Sequence, residues 1–312
     1  MTDQPPEPSQ VPPHPRVPIH VGLLRYGTPS WNLAAAGYGL VAFILGLLVI
    51  AAYGPFPDTR SFWLGNSGPL YDPGLPITVP RFNYSPVMAL VLLPLGRLPW
   101  PAFAVLWTAC AIAAYAWLLR PLEPIPRLVG LMAGTVFALN GNIEWGLAVV
   151  AVVGQRYPSS WLVAAFTKVA PFIGFGWFLI RREWRSVART AAIGLALALC
   201  AALLLPGAWP TWIGMLIAFT PQASQGGGLL SPAVPLAPRL LAAMAVMAWG
   251  SITERPWTWV LVLMLAQPDL QPWMLGYAAA LPRLLKQEAP QRRRRPRDAM
   301  GPVVSVASQL GA

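Results

Sequence analysis

Apolar residues in this chain gather into blocks long enough to cross a bilayer, and that clustering restricts the fold more than any other feature. Trp31 to Tyr53, Pro101 to Leu119, Trp161 to Ile180 and Ala188 to Leu205 each approach the roughly 20 residues that span a hydrocarbon core as a helix. In lipid each backbone N–H and C=O needs a partner within the protein, so such blocks read as helices. Apolar residues make up 56% of the chain and charged residues 11%, against about a quarter charged in a soluble domain. A water-soluble fold is excluded, and the expected fold class is all-α, a polytopic transmembrane helical bundle.

Three regions follow. Residues 1–30 are proline-rich and without apolar periodicity, and lack the apolar core and cleavage site of a signal peptide; they read as a disordered cytoplasmic tail. Residues 31–286 form the membrane domain, and 287–312, with Arg292 to Arg295, form a basic cytoplasmic tail. Weaker apolar stretches at 84–96, 127–139, 143–153, 234–250, 256–266 and 271–285, with an interfacial Trp/Pro piece at 208–219, raise the expected total to about ten spans. Arginine-rich RREWRSVAR (181–189) fixes its loop on the inner side, leaving Arg120 and Arg127 as exceptions to the positive-inside pattern. Localisation is then a multi-pass cell membrane protein with both termini cytoplasmic. The Asp58 loop, the glycines at 225–228 and Gln267 to Pro272 should face outward. Tryptophans near span ends, including Trp31, Trp161, Trp212 and Trp259, suit an interfacial belt.

The net charge of +11 comes from tails and short connections, which fits membrane topology better than nucleic acid. Cys110 and Cys200 lie inside separate apolar blocks, and His14 and His20 lie in the N-terminal tail. No cysteine or histidine metal site, and no nucleophile–histidine pair, is therefore expected in the membrane body. Divalent metal dependence stays open.

Ionisable groups near the membrane are the candidates for chemistry because burying them is expensive. Asp58 follows the first span and begins a loop running from Gly54 to Asn83. Its carboxylate suits a base that takes a hydroxyl proton, and it equally suits a cap for a helix over Thr59 to Leu64. Lys168 sits within an apolar block, three residues before Pro171. It reads either as a buried cation for a lipid-carrier phosphate or as a side chain snorkelling to the headgroups. Arg60 and Arg81 flank the long loop with Asp72, and read either as partners for phosphate or for Asp58 and Asp72, or as exposed loop arginines that do neither. Glu144 reads as part of a solvated turn after Asn140-Gly141-Asn142, and Asp269 as a turn residue.

The stretches DTRSFWLGNSGPLYDPG and RFNYSPVMALVLLPLGRLPWPAFAVLW resemble glycosyltransferase family 87. The correspondences are Asp58, Gly68 to Tyr71, Tyr84-Ser85-Pro86, Pro94 to Pro99 and Leu106-Trp107. Further on, GNIEWGLAVVAVV resembles the family's Gly-Gln-x-Asn helix start and FTKVAPFIGFGWFLIRREWR its Lys-x-x-Pro span. The likeness runs over about residues 32–285, with Asn142, Glu144 and Ser85 standing where the family has Gln, Asn and Pro. The resemblance implies a GT-C-like bundle with an extracytoplasmic loop after the first span. It also implies transfer of a hexose or pentose, in the manner of mannosyl- and arabinosyltransferases, from a polyprenyl-phosphate-linked donor to an envelope glycolipid or glycan acceptor. Asp58 is then the catalytic residue, and Arg60, Tyr71, Arg81, Tyr84, Glu144 and Lys168 are the substrate-binding set. No further cofactor is implied. A non-enzymatic transporter or envelope-complex scaffold is the alternative, which would place ionisable residues near the bilayer midplane on broken helices.

Overall fold

A computed structural model describes residues 20–21, 24–64, 70–71, 82–224, 235–267 and 270–293. The described chain is helical apart from a two-residue antiparallel pairing of His20–Val21 with Leu24–Arg25. That short pairing precedes α1 (Pro29–Tyr53), capped by the Thr28 hydroxyl accepting from Trp31 N. The helices that follow are α2 (Pro57–Leu64), α3 (Pro86–Leu92), α4 (Trp100–Leu119), α5 (Pro124–Asn140), α6 (Glu144–Val153), α7 (Leu162–Thr167), α8 (Gly176–Ile180), α9 (Trp184–Leu204), α10 (Ala208–Ser224), α11 (Leu236–Thr253), α12 (Thr258–Leu265) and α13 (Leu281–Arg293).

Among the described residues 4 helices, α1, α4, α9 and α11, are long and apolar enough to cross a membrane. Two expectations change. The block Trp161 to Ile180 is not one spanning helix: it divides into a 3-10 turn at Pro158–Trp161, α7, a second 3-10 turn at Ala170–Phe175, and α8. Proline at 171 withholds a backbone N–H and restricts the residue before it, so the helix cannot run through. The stretch 84–96 yields only the seven-residue α3, about 10 Å of rise and far short of a bilayer.

Without a crossing at 84–96, the chain turns back at α4. The Tyr26 hydroxyl donates to Pro121 O at 3.4 Å, and Arg283 Nε donates to Trp117 O at 2.7 Å. The α4–α5 turn, with Arg120 and Arg127, therefore lies at the same end of the bundle as the start of α1. Helices α1 and α5 pack closely because Gly46 has no side chain; a methyl there would meet Val136 Cγ1 at 2.7 Å. Small residues are how helices gain contact where lipid supplies no hydrophobic drive.

The tryptophans divide. Trp161 and Trp259 are fully buried with ring centroids 5.4 Å apart, and Trp31 and Trp212 are buried as well. Trp161, Trp212 and Trp259 belong to the core rather than to an interfacial belt, because the breaks around them fold their segments into the bundle.

Candidate active site

The carboxylate-bearing helix α2 is docked on the far end of α5, away from the start of α1. Asp58 lies in the first turn of α2, one residue inside the helix that begins at Pro57, and is half-buried. A carboxylate there is favoured by the helix dipole. Phe56 N donates to Leu139 O at 2.7 Å, with Phe56 in the left-handed region at φ 67°. Gly141, the left-handed cap of α5 at φ 86°, packs on Thr59 so tightly that any Cβ would overlap the Thr59 hydroxyl. The Trp107 indole N–H donates to Gly141 O at 2.8 Å and locks this turn from the α4 side.

An aromatic layer continues from α2. Phe62 stacks on Tyr84 at 4.2 Å and lies 4.4 Å from Trp107, which meets Trp145 edge-on at 5.5 Å. The buried Tyr71 hydroxyl donates to Tyr84 O at 2.7 Å, and burial pushes its pKa up, so it stays a donor. Ser85 N donates to Phe166 O at 3.2 Å, joining this layer to the end of α7.

Lys168 stands at the break beyond α7, with extended backbone at φ −131° and ψ 96°. Its ammonium pairs with Glu144 Oε1 at 2.5 Å and donates to Gln267 Oε1 at 3.2 Å. The Gln267 amide donates in turn to the Tyr277 hydroxyl, and Arg239 Nη1 donates to Gln267 O at 2.6 Å. Side-chain exposure is 15% for Lys168 and 2% for Glu144. This overturns the solvated-turn reading of Glu144 and the snorkelling reading of Lys168. The reason is electrostatic: two charges out of water each cost several kcal/mol, in order of magnitude, and pairing at the N-terminus of α6 offsets that cost. Gln267 and Gln271 are also buried, so the expected outward loop there is instead folded into the bundle at these two positions.

The structure thus brings Glu144 and Lys168 together, and Tyr71 and Tyr84 together; Arg60 is exposed on α2. Asp72, Arg81, Asp269 and the glycines at 225–228 lie outside the described residues. Sequence reading missed Gln267, Tyr277 and the buried Arg239 of α11. An arginine inside an apolar block was the available signal for the last. It also missed Asn140. Both its amide atoms, and the Thr59 hydroxyl, are buried with no hydrogen-bond partner among the described residues, and these two residues flank Gly141 on either side of the α2–α5 contact. Among the described residues no group of three His, Cys, Asp or Glu side chains converges as metal ligands.

No curated protein and no solved structure matches the chain. The family model for Glycosyltransferase family 87 matches residues 82–306, which takes in the aromatic layer from Phe82 onward, Glu144, Lys168 and Gln267, and begins after Asp58, Arg60, Tyr71 and Arg81. With most of the chain matched and its membrane-length helices in place, the chain belongs to glycosyltransferase family 87 and is a membrane glycosyltransferase.

Proposed function

We propose that the protein transfers a sugar from a polyprenyl-phosphate-linked donor to an envelope glycolipid or glycan acceptor, at the extracytoplasmic face of a multi-pass cell membrane protein with both termini inside. The observation carrying this reading is the buried Lys168 cation at a chain break, held by Glu144 and Gln267 and linked through Ser85 and the aromatic layer to the helix bearing Asp58. Polar backbone and charge at a break in a membrane-embedded segment are tolerated where they line a functional cavity.

In the proposed step Asp58 takes the proton from an acceptor hydroxyl while that oxygen bonds to the anomeric carbon. The bond from that carbon to the phosphate oxygen breaks through an oxocarbenium-like transition state, and polyprenyl phosphate leaves with the electron pair. The configuration inverts. The departing phosphate is already a stable anion, so it needs charge stabilisation more than a proton. Lys168 supplies it by exchanging its Glu144 contact for the phosphate, with Arg60 and Arg81 assisting from the loop. Tyr71 and Tyr84 shape the loop side of the site. Asn140 and Thr59, whose buried polar atoms have no partner among the described residues, take substrate hydroxyls when α2 admits them.

The deciding experiment is turnover of a purified polyprenyl-phosphate sugar by the full-length enzyme and by Asp58→Asn. A loss of about 10²-fold or more with an unchanged melting temperature is expected; equal turnover would remove Asp58 as the base. Chain breaks at Lys168 and Gln267 also suit a transporter site, whereas membership of the transferase family favours the enzyme.

A further inference from the structure

A polar cavity lies at the end of the bundle away from Glu144, where RREWRSVAR meets the α11–α12 turn. Its volume is about 320 Å³, and its lining includes Gln155, Trp177, Arg181, Glu183, Glu254 and Trp259. Arg181 bridges two carboxylates from different turns, with Nε 3.1 Å from Glu183 Oε1 and Nη1 3.3 Å from Glu254 Oε1. All three side chains are about a third exposed, at 35–38%. Ion pairs so open to solvent add little to stability, so stability alone does not account for the arrangement. Arg181 also lies over the Trp177 ring at 5.9 Å.

Backbone strain collects here. Arg182 and Glu254 take positive φ of 56° and 57°, two of the three non-glycine residues that do so among the described residues; the third, Phe56, precedes Asp58. Such conformations are strained and gather at functional sites. The Gln155 Nε2 atom is buried and has no acceptor among the described residues, so this side of the cavity has an unused donor.

The cavity's depth identifies the occupant. α9 begins at Trp184 and α11 ends at Thr253, and both are of membrane-spanning length. Their adjoining ends carry exposed Trp184, Trp249 and Ile252, with Ile180 at the end of α8 beside them, the pattern of a bilayer boundary. We infer that this cavity binds the zwitterionic aminophosphate headgroup of a bilayer lipid. The phosphate lies against Arg181, and the primary ammonium lies against Glu183 and Glu254. A quaternary ammonium cannot donate hydrogen bonds to the carboxylates, and a purely anionic headgroup would face them, so the site selects phosphatidylethanolamine over phosphatidylcholine and phosphatidylglycerol.

The test is native mass spectrometry of the full-length protein released from nanodiscs containing the three lipids in equal amounts. Retention of phosphatidylethanolamine about tenfold over each of the others is expected, falling to parity in the Glu183→Gln/Glu254→Gln double variant. Glu254→Gly is the second variant, because glycine accepts the positive φ without strain while removing one carboxylate; it should melt no lower than the parent and still lose the preference. Equal retention of the three lipids, or a preference for phosphatidylglycerol, overturns the assignment. So does free phosphoethanolamine raising the melting temperature in detergent while the lipid is not enriched, which would mark a soluble ligand instead.

Discussion

Lys168 Nζ stands 2.5 Å from Glu144 Oε1, joining a break in one apolar segment to the first residue of the helix α6. A six-residue α7, a ten-residue α6 and an extended lysine between helical turns are a poor way to span a bilayer and a good way to hold charge inside one. The two side chains are close to fully desolvated, so their coupling should be measurable.

Lys168→Met alone leaves Glu144 buried without its ammonium partner, which costs about 3–5 kcal/mol. Adding Glu144→Gln removes the stranded charge and should recover most of that loss. Transfer should remain absent in the double variant, because the phosphate has lost its cation. Denaturation in detergent and turnover of the same four proteins check this as a double-mutant cycle. Simple additivity in stability would show the pair to be uncoupled.

At Gly141 the α2–α5 contact leaves no room for a side chain, and the backbone has φ 86°. Gly141→Ala is expected to cost about 1–3 kcal/mol from backbone strain and to lift α2, so turnover falls more than stability does. Faster proteolysis between Tyr53 and Leu64 would be the direct sign. A variant with parent-like activity would mean that Asp58 does not depend on this contact.

Asn140 offers a way to separate packing from recognition. Replacing a buried, unpartnered amide by an apolar group of similar size is close to neutral or stabilising, so Asn140→Leu should melt at or above the parent temperature. If the amide reads a substrate hydroxyl, KM rises about tenfold, equivalent to about 1.4 kcal/mol. Loss of stability without change in KM would assign Asn140 a structural water instead.

Burial raises the pKa of the Tyr71 phenol in the folded protein above its ordinary range. Since the neutral form is favoured in the folded state, this contribution is intact below about pH 10, the unfolded value, and is lost as pH rises toward the folded value. Tyr71→Phe should flatten that alkaline loss while costing about 1 kcal/mol at neutral pH from the missing bond to Tyr84 O. Melting temperatures from pH 8 to 11 check both arms.

The all-helical membrane class was legible because apolar block length answers to bilayer thickness, a constraint that each segment meets by itself. Family membership was legible for a related reason: ordered motifs such as Tyr84-Ser85-Pro86 and Lys168-Val169-Ala170-Pro171 keep their spacing along the chain. Composition could not say whether the block around Lys168 runs straight or breaks, because mean hydropathy is indifferent to one proline and one lysine, whereas the hydrogen-bond ladder is not. Nor could it tell an interfacial tryptophan from a core one, as Trp161 and Trp259 demonstrate. Residues 144, 168, 239, 267 and 277 are far apart in sequence, and no local pattern links Glu144 to Lys168 or Lys168 to Gln267. Only the tertiary structure decided that these groups meet, because a charge withdrawn from water is stabilised by whichever partner the folded chain brings within reach.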